Sequence, residues 1–486
     1  MRERQEVQTL PRRGYDLNAY VSARRAEPGA VEFPPPIVRD AHRGLGRGIL
    51  HAIYDLLWVV AAIVGAPWLA LRCARAPGFR AMVRERLRPP AIAPPGPGER
   101  PRVLVHGVSV GEIKAALALV RALERDRPDL EVVLSTTTST GQAMARRLFP
   151  GYALVRFPAD LSLLVRLFLN RVQPAAVVLI ELEVWPNFLR LANRAGFPVA
   201  VVNGRITPMS FGRYRGFRRV LPQFDRITLY CAQSEAYATR FCALGVEPAR
   251  VHVTGNIKVD GLEVGRQSPS EELLERLSPR PHQPFVVAGS THEPEERMVA
   301  QAWLQAGAAA RLVIVPRHPE RVADVVRDLQ EDGFEVERLT ELRALERRGD
   351  PARIAIADTI GELDRLYALA DLAFVGGSLV PHGGQNVLEP AAQGVPVIAG
   401  PHVHNFRQEM ALLEEAGAAV RVVDAADLGR RFAALLADAP ARAAMGEAGL
   451  LAVAAQRGAT QATWRVLAAA GVLPAPRSRR EADSRD

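Results

Sequence analysis

Residues 103–120 read VLVHGVSVGEIKAALALV. An apolar run, a turn holding Gly107, Ser109 and Gly111, and an amphipathic stretch follow one another, which is the strand, turn and helix that begin a parallel α/β unit. Such a turn presents free backbone N–H groups at a helix mouth, the usual arrangement for holding a phosphate or another anion. Glu112 follows immediately, and its carboxylate repels the ligand such a loop usually binds. A Glu in a first helical turn commonly serves only the helix dipole. The alternative is chemical work on a substrate.

Outward from this stretch the same alternation repeats. Apolar runs EVVLSTT (131), ALVRFP (153), AAVVLIE (175), PVAVVN (198) and ITLYCAQ (227) are separated by helical patterns. After VHVTGNIKVDGLE and the polar stretch QSPSEELLERLSPRPHQ a second series begins. It has PFVVAGS (284), ARLVIVP (310), FEVERL (334), RIAIADT (353), LAFVGGS (372), PVIAG (396) and VRVV (420). The pattern predicts an α/β chain with two Rossmann-like domains facing across a cleft, over residues 100–265 and 280–473.

The N-terminal region has another character. Residues 1–48 are rich in Arg, Pro and Gly and predict a disordered extension, as does the tail 474–486. ILHAIYDLLWVVAAIVGAPWLAL, residues 49–71, is long enough to cross a bilayer, with Arg72, Arg75, Arg80, Arg84, Arg86 and Arg88 behind it. Residues 49–90 therefore predict a membrane anchor with a basic flank. Arg39, Arg43 and Arg47 at the other end leave a spanning and an interfacial helix both open. His51, Asp55, Gly65 and Pro67 also allow a buried soluble helix. RPPAIAPPGPGERP, residues 88–101, reads as a linker.

The chain has 486 residues and a formal net charge of +9. That balance suits anionic membranes or acidic substrates; nucleic acid is not expected, because the basic residues are spread along the chain without interleaved aromatics. Cys73, Cys231 and Cys242 form no CxxC and no even framework, as in a reduced cytoplasmic protein. His402 and His404 lack a third ligand at metal-site spacing, and no Asp-x-Asp occurs, so no metal is expected.

In parallel α/β sheets ligands sit at the carboxyl ends of the strands. Those ends here carry Glu112, STTTST, Glu181 and Glu183 of ELEVWPN, Asn203 and Arg205, and Asn256 and Lys258 of GNIKVD. The second series offers GSTHEPEE, VPRHPER, DTIGELDRLY and GGSLVPHGGQNVLEPAAQGVPVIAG. Each has a plainer reading: ELEVWPN as strand-end packing before a helix, Arg317 as a surface cation, Glu389 as a first-turn carboxylate, the Gly-rich run as a loop. The first turn lacks G-x-G-x-x-G and no G-x-x-x-x-G-K-[ST] occurs, which argues against a nicotinamide dehydrogenase and a P-loop NTPase.

HGVSVGE, TTTSTG, ELEVWPN, NGRIT, GNIKVD, GSTHEPEE, VPRHPER, DTIGELDRLY, FVGGS and GGQNVLEPAAQGVPVIAGPHVHNF occur in an order that resembles the 3-deoxy-D-manno-octulosonic acid (Kdo) transferases of lipopolysaccharide biosynthesis, over about residues 50–470. The resemblance implies a GT-B glycosyltransferase that moves Kdo from CMP-Kdo to a sugar hydroxyl of a lipid A precursor, with inversion and release of CMP. It implies Glu112 as general base, and Glu181 and Lys258 as transition-state stabilisers, with Glu181 also open to an orienting role. It implies CMP contacts from Pro316, Arg317, Ile360, Gly361, Glu362, Asn386, Val387, Leu388 and Glu389. No cofactor or metal is implied. The expected partners are CMP-Kdo, a lipid A precursor and inner-membrane lipids, with the catalytic domains on the cytoplasmic face of the cell inner membrane.

Departures from the family pattern include Gln385 and Val387 where GGHNPLE is common, Leu182 for Thr, Gly107 for Ser or Ala, and Val259 for Phe. None removes a residue assigned to chemistry. Two other readings stay open: a UDP-sugar transferase or epimerase of the same fold, and an inactive relative that binds lipid A precursor without turnover. The sequence leaves self-association and the number of Kdo residues transferred undecided.

Overall fold

The computed structural model describes residues 45–217 and 223–475. It divides into two compact units, residues 1–261 with 457–486, and residues 262–456.

Among the described residues the first unit holds seven strands: β1 (Arg102–His106), β2 (Glu131–Thr136), β3 (Ala153–Arg156), β4 (Pro174–Ile180), β5 (Val199–Gly204), β6 (Leu229–Ala232) and β7 (Val251–Val253). All pair in parallel, in the order β3-β2-β1-β4-β5-β6-β7. Both faces of the sheet are covered, which is why its strands are apolar throughout rather than alternating. Val103 and Val105 of β1 join Leu119 and Leu123 of the helix Val110–Asp126 on one face, and Leu104 joins Phe157, Phe168 and Phe188 on the other. β7 is the one strand that sequence periodicity does not find. It has three residues, interrupted by His252, too short to show a period.

The second unit repeats the design with β8 (Phe285–Thr291), β9 (Arg311–Pro316), β10 (Val336–Arg338), β11 (Ile354–Ile356), β12 (Leu372–Val375), β13 (Val397–Ala399) and β14 (Ala419–Arg421). The order is β10-β11-β9-β8-β12-β13-β14, again all parallel. Val286 and Ala288 face one core, Phe285 and Val287 the other. In both sheets the order reverses direction beside the first strand, between β1 and β4 and between β8 and β12. Doubly wound sheets bind ligands at such a reversal, outside the carboxyl ends.

One domain boundary differs from the expectation of 280–473. The helix Ala459–Ala469 returns to the first unit, where Ala459, Trp464 and Leu467 complete the core beside the helix Val110–Asp126. The Asp260 carboxylate accepts backbone N–H groups of Gly458, at 2.7 Å, and Thr460. Nothing in the helix's own pattern says which of two similar sheets it covers. The expected extension 1–48 lies outside the described residues up to residue 44, whereas residues 45–48 already belong to the helix Leu45–Arg75. Of the expected tail, residues 476–486 lie outside the described residues, and Pro474 is held by Arg127 at 2.8 Å.

The helix Leu45–Arg75 is no core helix. Leu56, Leu57, Val60, Ile63, Val64 and Trp68 are all exposed, and its most apolar window is only 6% buried. Its polar residues do the fastening. His51 Nδ1 lies 3.2 Å from Asn187 Oδ1, the Tyr54 hydroxyl donates to Asp160 at 3.1 Å, and Asp55 accepts from Asn187 Nδ2 at 2.7 Å and Ser162 N at 3.0 Å. The next helix, Pro77–Arg86, is tied to the same unit through Glu85 to Arg156 at 2.8 Å and Arg86 to the Phe157 carbonyl at 3.2 Å.

Candidate active site

In the first unit, Glu112 stands at the mouth of the β1–β4 reversal. Ser109 caps the helix Val110–Asp126: its Oγ accepts from Glu112 N at 3.4 Å and donates to Glu112 Oε1 at 2.7 Å, while Val108 N donates to Glu112 Oε2 at 2.7 Å. This resembles a capping box, with the carboxylate reaching the N–H one residue before the cap, so the helix-terminal reading of Glu112 is correct as far as it goes. Both bonds also fix the carboxylate in one place. The turn is held in turn by the next one, where Thr138 Oγ1 donates to the Val108 carbonyl at 2.7 Å and a Cβ on Gly141 would come 2.7 Å from that carbonyl oxygen. Only glycine permits so close an approach.

Glu181 is the first residue beyond β4, and its backbone is left-handed, with φ 62°. Asn203, at the end of β5, is also left-handed, with φ 56°. Non-glycine residues in this region cost of order 1–3 kcal/mol each and persist where the surroundings over-determine them. Asn203 Oδ1 accepts from Ile257 N at 3.0 Å, and Asn256 caps the short helix Ile257–Asp260 by accepting from Lys258 N at 3.1 Å. The two asparagines thus set where Lys258 starts. Its Nζ lies 2.5 Å from Glu181 Oε1. Asn203 is fully buried and its Nδ2 has no hydrogen-bond partner among the described residues.

The electrostatics join these groups. Burial raises the Glu112 pKa, opposed by its hydrogen bonds from Ser109 and Val108; the Glu181 charge raises it further and Lys258 lowers it. Glu183 is pushed up to about 7, first by burial and then by repulsion from Glu112, against the 3.0 Å hydrogen bond from Trp185 Nε1. The site therefore holds three carboxylates and one ammonium. Sequence reasoning placed Glu183 at a strand end but gave it no role, because nothing in the spacing of ELEVWPN separates its two carboxylates.

In the second unit the residues nominated for a nucleotide gather around the carboxyl ends. Pro316 is buried at the end of β9, and Arg317 after it is exposed, its guanidinium without an ion pair among the described residues. Glu362 accepts from Arg343 at 3.0 Å and Arg365 at 2.9 Å. Gly361 has φ 92°, and Ile360 is 86% exposed. Asn386 accepts from Leu388 N at 3.2 Å and donates to Glu389 Oε1 at 3.1 Å. Val387 and Leu388 are buried, so only their backbone is available to a ligand.

At the β8–β12 reversal the backbone N–H groups of Gly377, Ser378 and Leu379 converge, as they would around a phosphate. They are already occupied. The fully buried Glu295 carboxylate accepts all three, at 2.6, 2.9 and 2.9 Å, and His292 N at 2.9 Å. These three N–H groups are therefore not open to an incoming anion.

Likeness to known proteins decides the family. The pattern of 3-deoxy-D-manno-octulosonic-acid transferase (kdotransferase) matches residues 81–261. A 3-deoxy-D-manno-octulosonic acid transferase of Bordetella pertussis is 35% identical over 445 residues, 86% of this chain and 98% of that one. The protein of the same name from Haemophilus influenzae is 33% identical over 81% of this chain and 92% of its own. The chain belongs to the Kdo transferase family.

The transferase is therefore a glycosyltransferase, and its twin Rossmann-like units have the GT-B fold. Two solved structures share that fold at low identity: a glycosyltransferase from Rickettsia africae, with TM-score 0.54, 12% identity and coverage of 76% of this chain and 98% of that one, and a putative UDP-N-acetylglucosamine 2-epimerase from Listeria monocytogenes, with TM-score 0.53, 16% identity and coverage of 77% and 96%. The residues nominated in the transferase's first unit, Glu112, Glu181 and Lys258, form one electrostatic cluster. Those of its second unit lie at the ends of β9, β11 and β12 and in the turns after them. Glu183, Asn203 and Glu295 are the site residues whose part the sequence did not disclose.

Proposed function

We propose that the transferase moves Kdo from CMP-Kdo to a sugar hydroxyl of a lipid A precursor, with inversion at the anomeric carbon and release of CMP. The observation that carries this reading is the cluster of Glu112, Glu181 and Lys258 at the β1–β4 reversal. A sugar hydroxyl attacks well only when a fixed base takes its proton in the transition state. Glu112 is fixed by its bonds from Val108 and Ser109 and made more basic by burial. One displacement by the deprotonated oxygen inverts the anomeric centre. Lys258 offsets negative charge on the donor, and Glu181 holds the ammonium in position.

Arg317 supplies a free guanidinium for the donor phosphate. Pro316, Ile360, Gly361, Glu362 and the backbone of Asn386, Val387 and Leu388 frame the nucleotide, and Glu389 suits ribose hydroxyls. This scheme uses no metal or cofactor.

The helix Leu45–Arg75 suits an enzyme with a lipid acceptor. Spanning a hydrocarbon core of about 30 Å would separate its two ends by that thickness. Here residues 51–55 and, through the next helix, residues 85–86 are both fastened to the same unit. We read an interfacial helix on the cytoplasmic face of the inner membrane, its exposed apolar side in the lipid and the arginines after it near anionic head groups.

The test is CMP release from CMP-Kdo with a tetra-acylated lipid A precursor in detergent. The expected result is CMP release in step with a Kdo-lipid product. Folded protein that accepts a UDP-sugar and ignores CMP-Kdo would overturn the donor assignment.

A further inference from the structure

Three of the ten histidines meet at the mouth of the second unit, outside any role given above. The His292 ring stacks on His382 with centroids 4.5 Å apart and planes at 27°, and stands edge-on to His318 at 5.7 Å and 86°. A Cβ placed on Gly377 would lie 3.4 Å from both His292 Nδ1 and Gln385 Nε2, so imidazole and amide face the same point above the β12 turn. His292 Nδ1 is buried and makes no hydrogen bond of good geometry among the described residues, with the Ser290 backbone as an acceptor that raises the ring's pKa. Its backbone is pinned by the Glu295 carboxylate at 2.9 Å. Burial and the neighbouring His382 and His318 lower its pKa to about 4, so at neutral pH the ring is an uncharged imidazole with one N–H to offer.

We propose that His292, His382 and Gln385 form the subsite for the carboxylate of the donor sugar. The proposal rests on the reading of CMP-Kdo as donor. In that molecule the carboxylate and the phosphate oxygen are attached to the same carbon, so a site that binds it must hold two anionic groups a few ångströms apart. Arg317 serves the phosphate, and His318 is the next residue in the chain. Backbone amides that would otherwise receive the second anion are filled by Glu295. The imidazole and amide group presents hydrogen-bond donors to one point where a carboxylate can sit. Neutral donors there suit a carboxylate that must not be bound so tightly that the sugar cannot leave.

The experiment compares two ligands that differ by the sugar. For His382→Phe, which keeps an aromatic ring on His292 but removes the N–H, and for Gln385→Met, initial rates give KM for CMP-Kdo, and competition gives the inhibition constant of CMP. The expected result is a KM raised about tenfold or more, the loss of one or two hydrogen bonds to a charged group, with CMP inhibition unchanged within about twofold. KM and CMP inhibition weakening together would make the cluster part of the nucleotide site and overturn the proposal, as would no change in either. Wild-type protein that binds CMP but not CMP-Kdo would instead defeat the donor reading itself.

Discussion

Lys258 Nζ lies 2.5 Å from Glu181 Oε1, which joins a strand-end residue to one 77 positions later. Glu181 is only partly buried and Lys258 about one-third exposed, so the pair is accessible to a substrate. Glu181 reaches it from a left-handed backbone that a β-branched residue would resist. The ammonium is held but not enclosed.

Removing that ammonium should remove chemistry before stability. Lys258→Met is expected to lower kcat by about a hundredfold or more, in the range for lost transition-state charge stabilisation, with a Tm change of a few degrees. Single-turnover rates at saturating donor check this. Glu181→Gln is expected to lose less, because it leaves Lys258 in place without its partner.

Glu183 makes stability depend on pH in an unusual direction for a carboxylate. Its folded pKa is about 7 against an ordinary 4.5, so the folded state favours its protonated form. The contribution is fully present below pH 4.5 and is lost as pH rises through 7, on the order of 3 kcal/mol. Glu183→Gln should therefore raise Tm relative to wild type at pH 8 and change it little at pH 4.5. Equal shifts at both pH values would contradict the assignment.

The close approach of two turns positions Glu112. Gly141→Ala would drive a methyl group into the Val108 carbonyl, and is expected to destabilise by about 1–3 kcal/mol and to lower kcat by displacing the capped carboxylate. Denaturant unfolding and initial rates measure the two effects. Gly151, in an open turn with φ 87°, serves as the control: Gly151→Ala should cost stability through backbone strain alone and leave kcat unchanged.

An interfacial helix predicts one-sided topology. Single cysteines introduced at residues 49 and 76 in a Cys-free background should both react with an impermeant maleimide added from the cytoplasmic side. Leu56→Ser, Leu57→Ser, Ile63→Ser and Val64→Ser together should move the protein to the soluble fraction while activity on detergent-dispersed acceptor persists. Labelling of residue 49 from the opposite side alone would establish a span.

The alternation of apolar runs made thirteen of the fourteen strands among the described residues legible, because strands buried on both faces need no partner to be recognised. Position at strand ends was legible too: it offered Glu112, Glu181 and Lys258 among several other polar residues, and the resemblance to the Kdo transferases singled these three out. What the sequence did not disclose is decided by three-dimensional neighbours. The helix Ala459–Ala469 could have covered either sheet. His51 and Asp55, which made the N-terminal helix ambiguous, turned out to be its fasteners.

The central claim is that Glu112 takes the acceptor proton, and Glu112→Gln tests it most directly, since the amide keeps the size and can still accept from Val108 or Ser109. The measurement is CMP release and Kdo-lipid formation by wild type and variant under saturating donor and acceptor, with Tm recorded for both. The account predicts a loss of about a hundredfold or more in kcat at near-native Tm. A folded Glu112→Gln protein with kcat close to wild type would return Glu112 to helix capping alone.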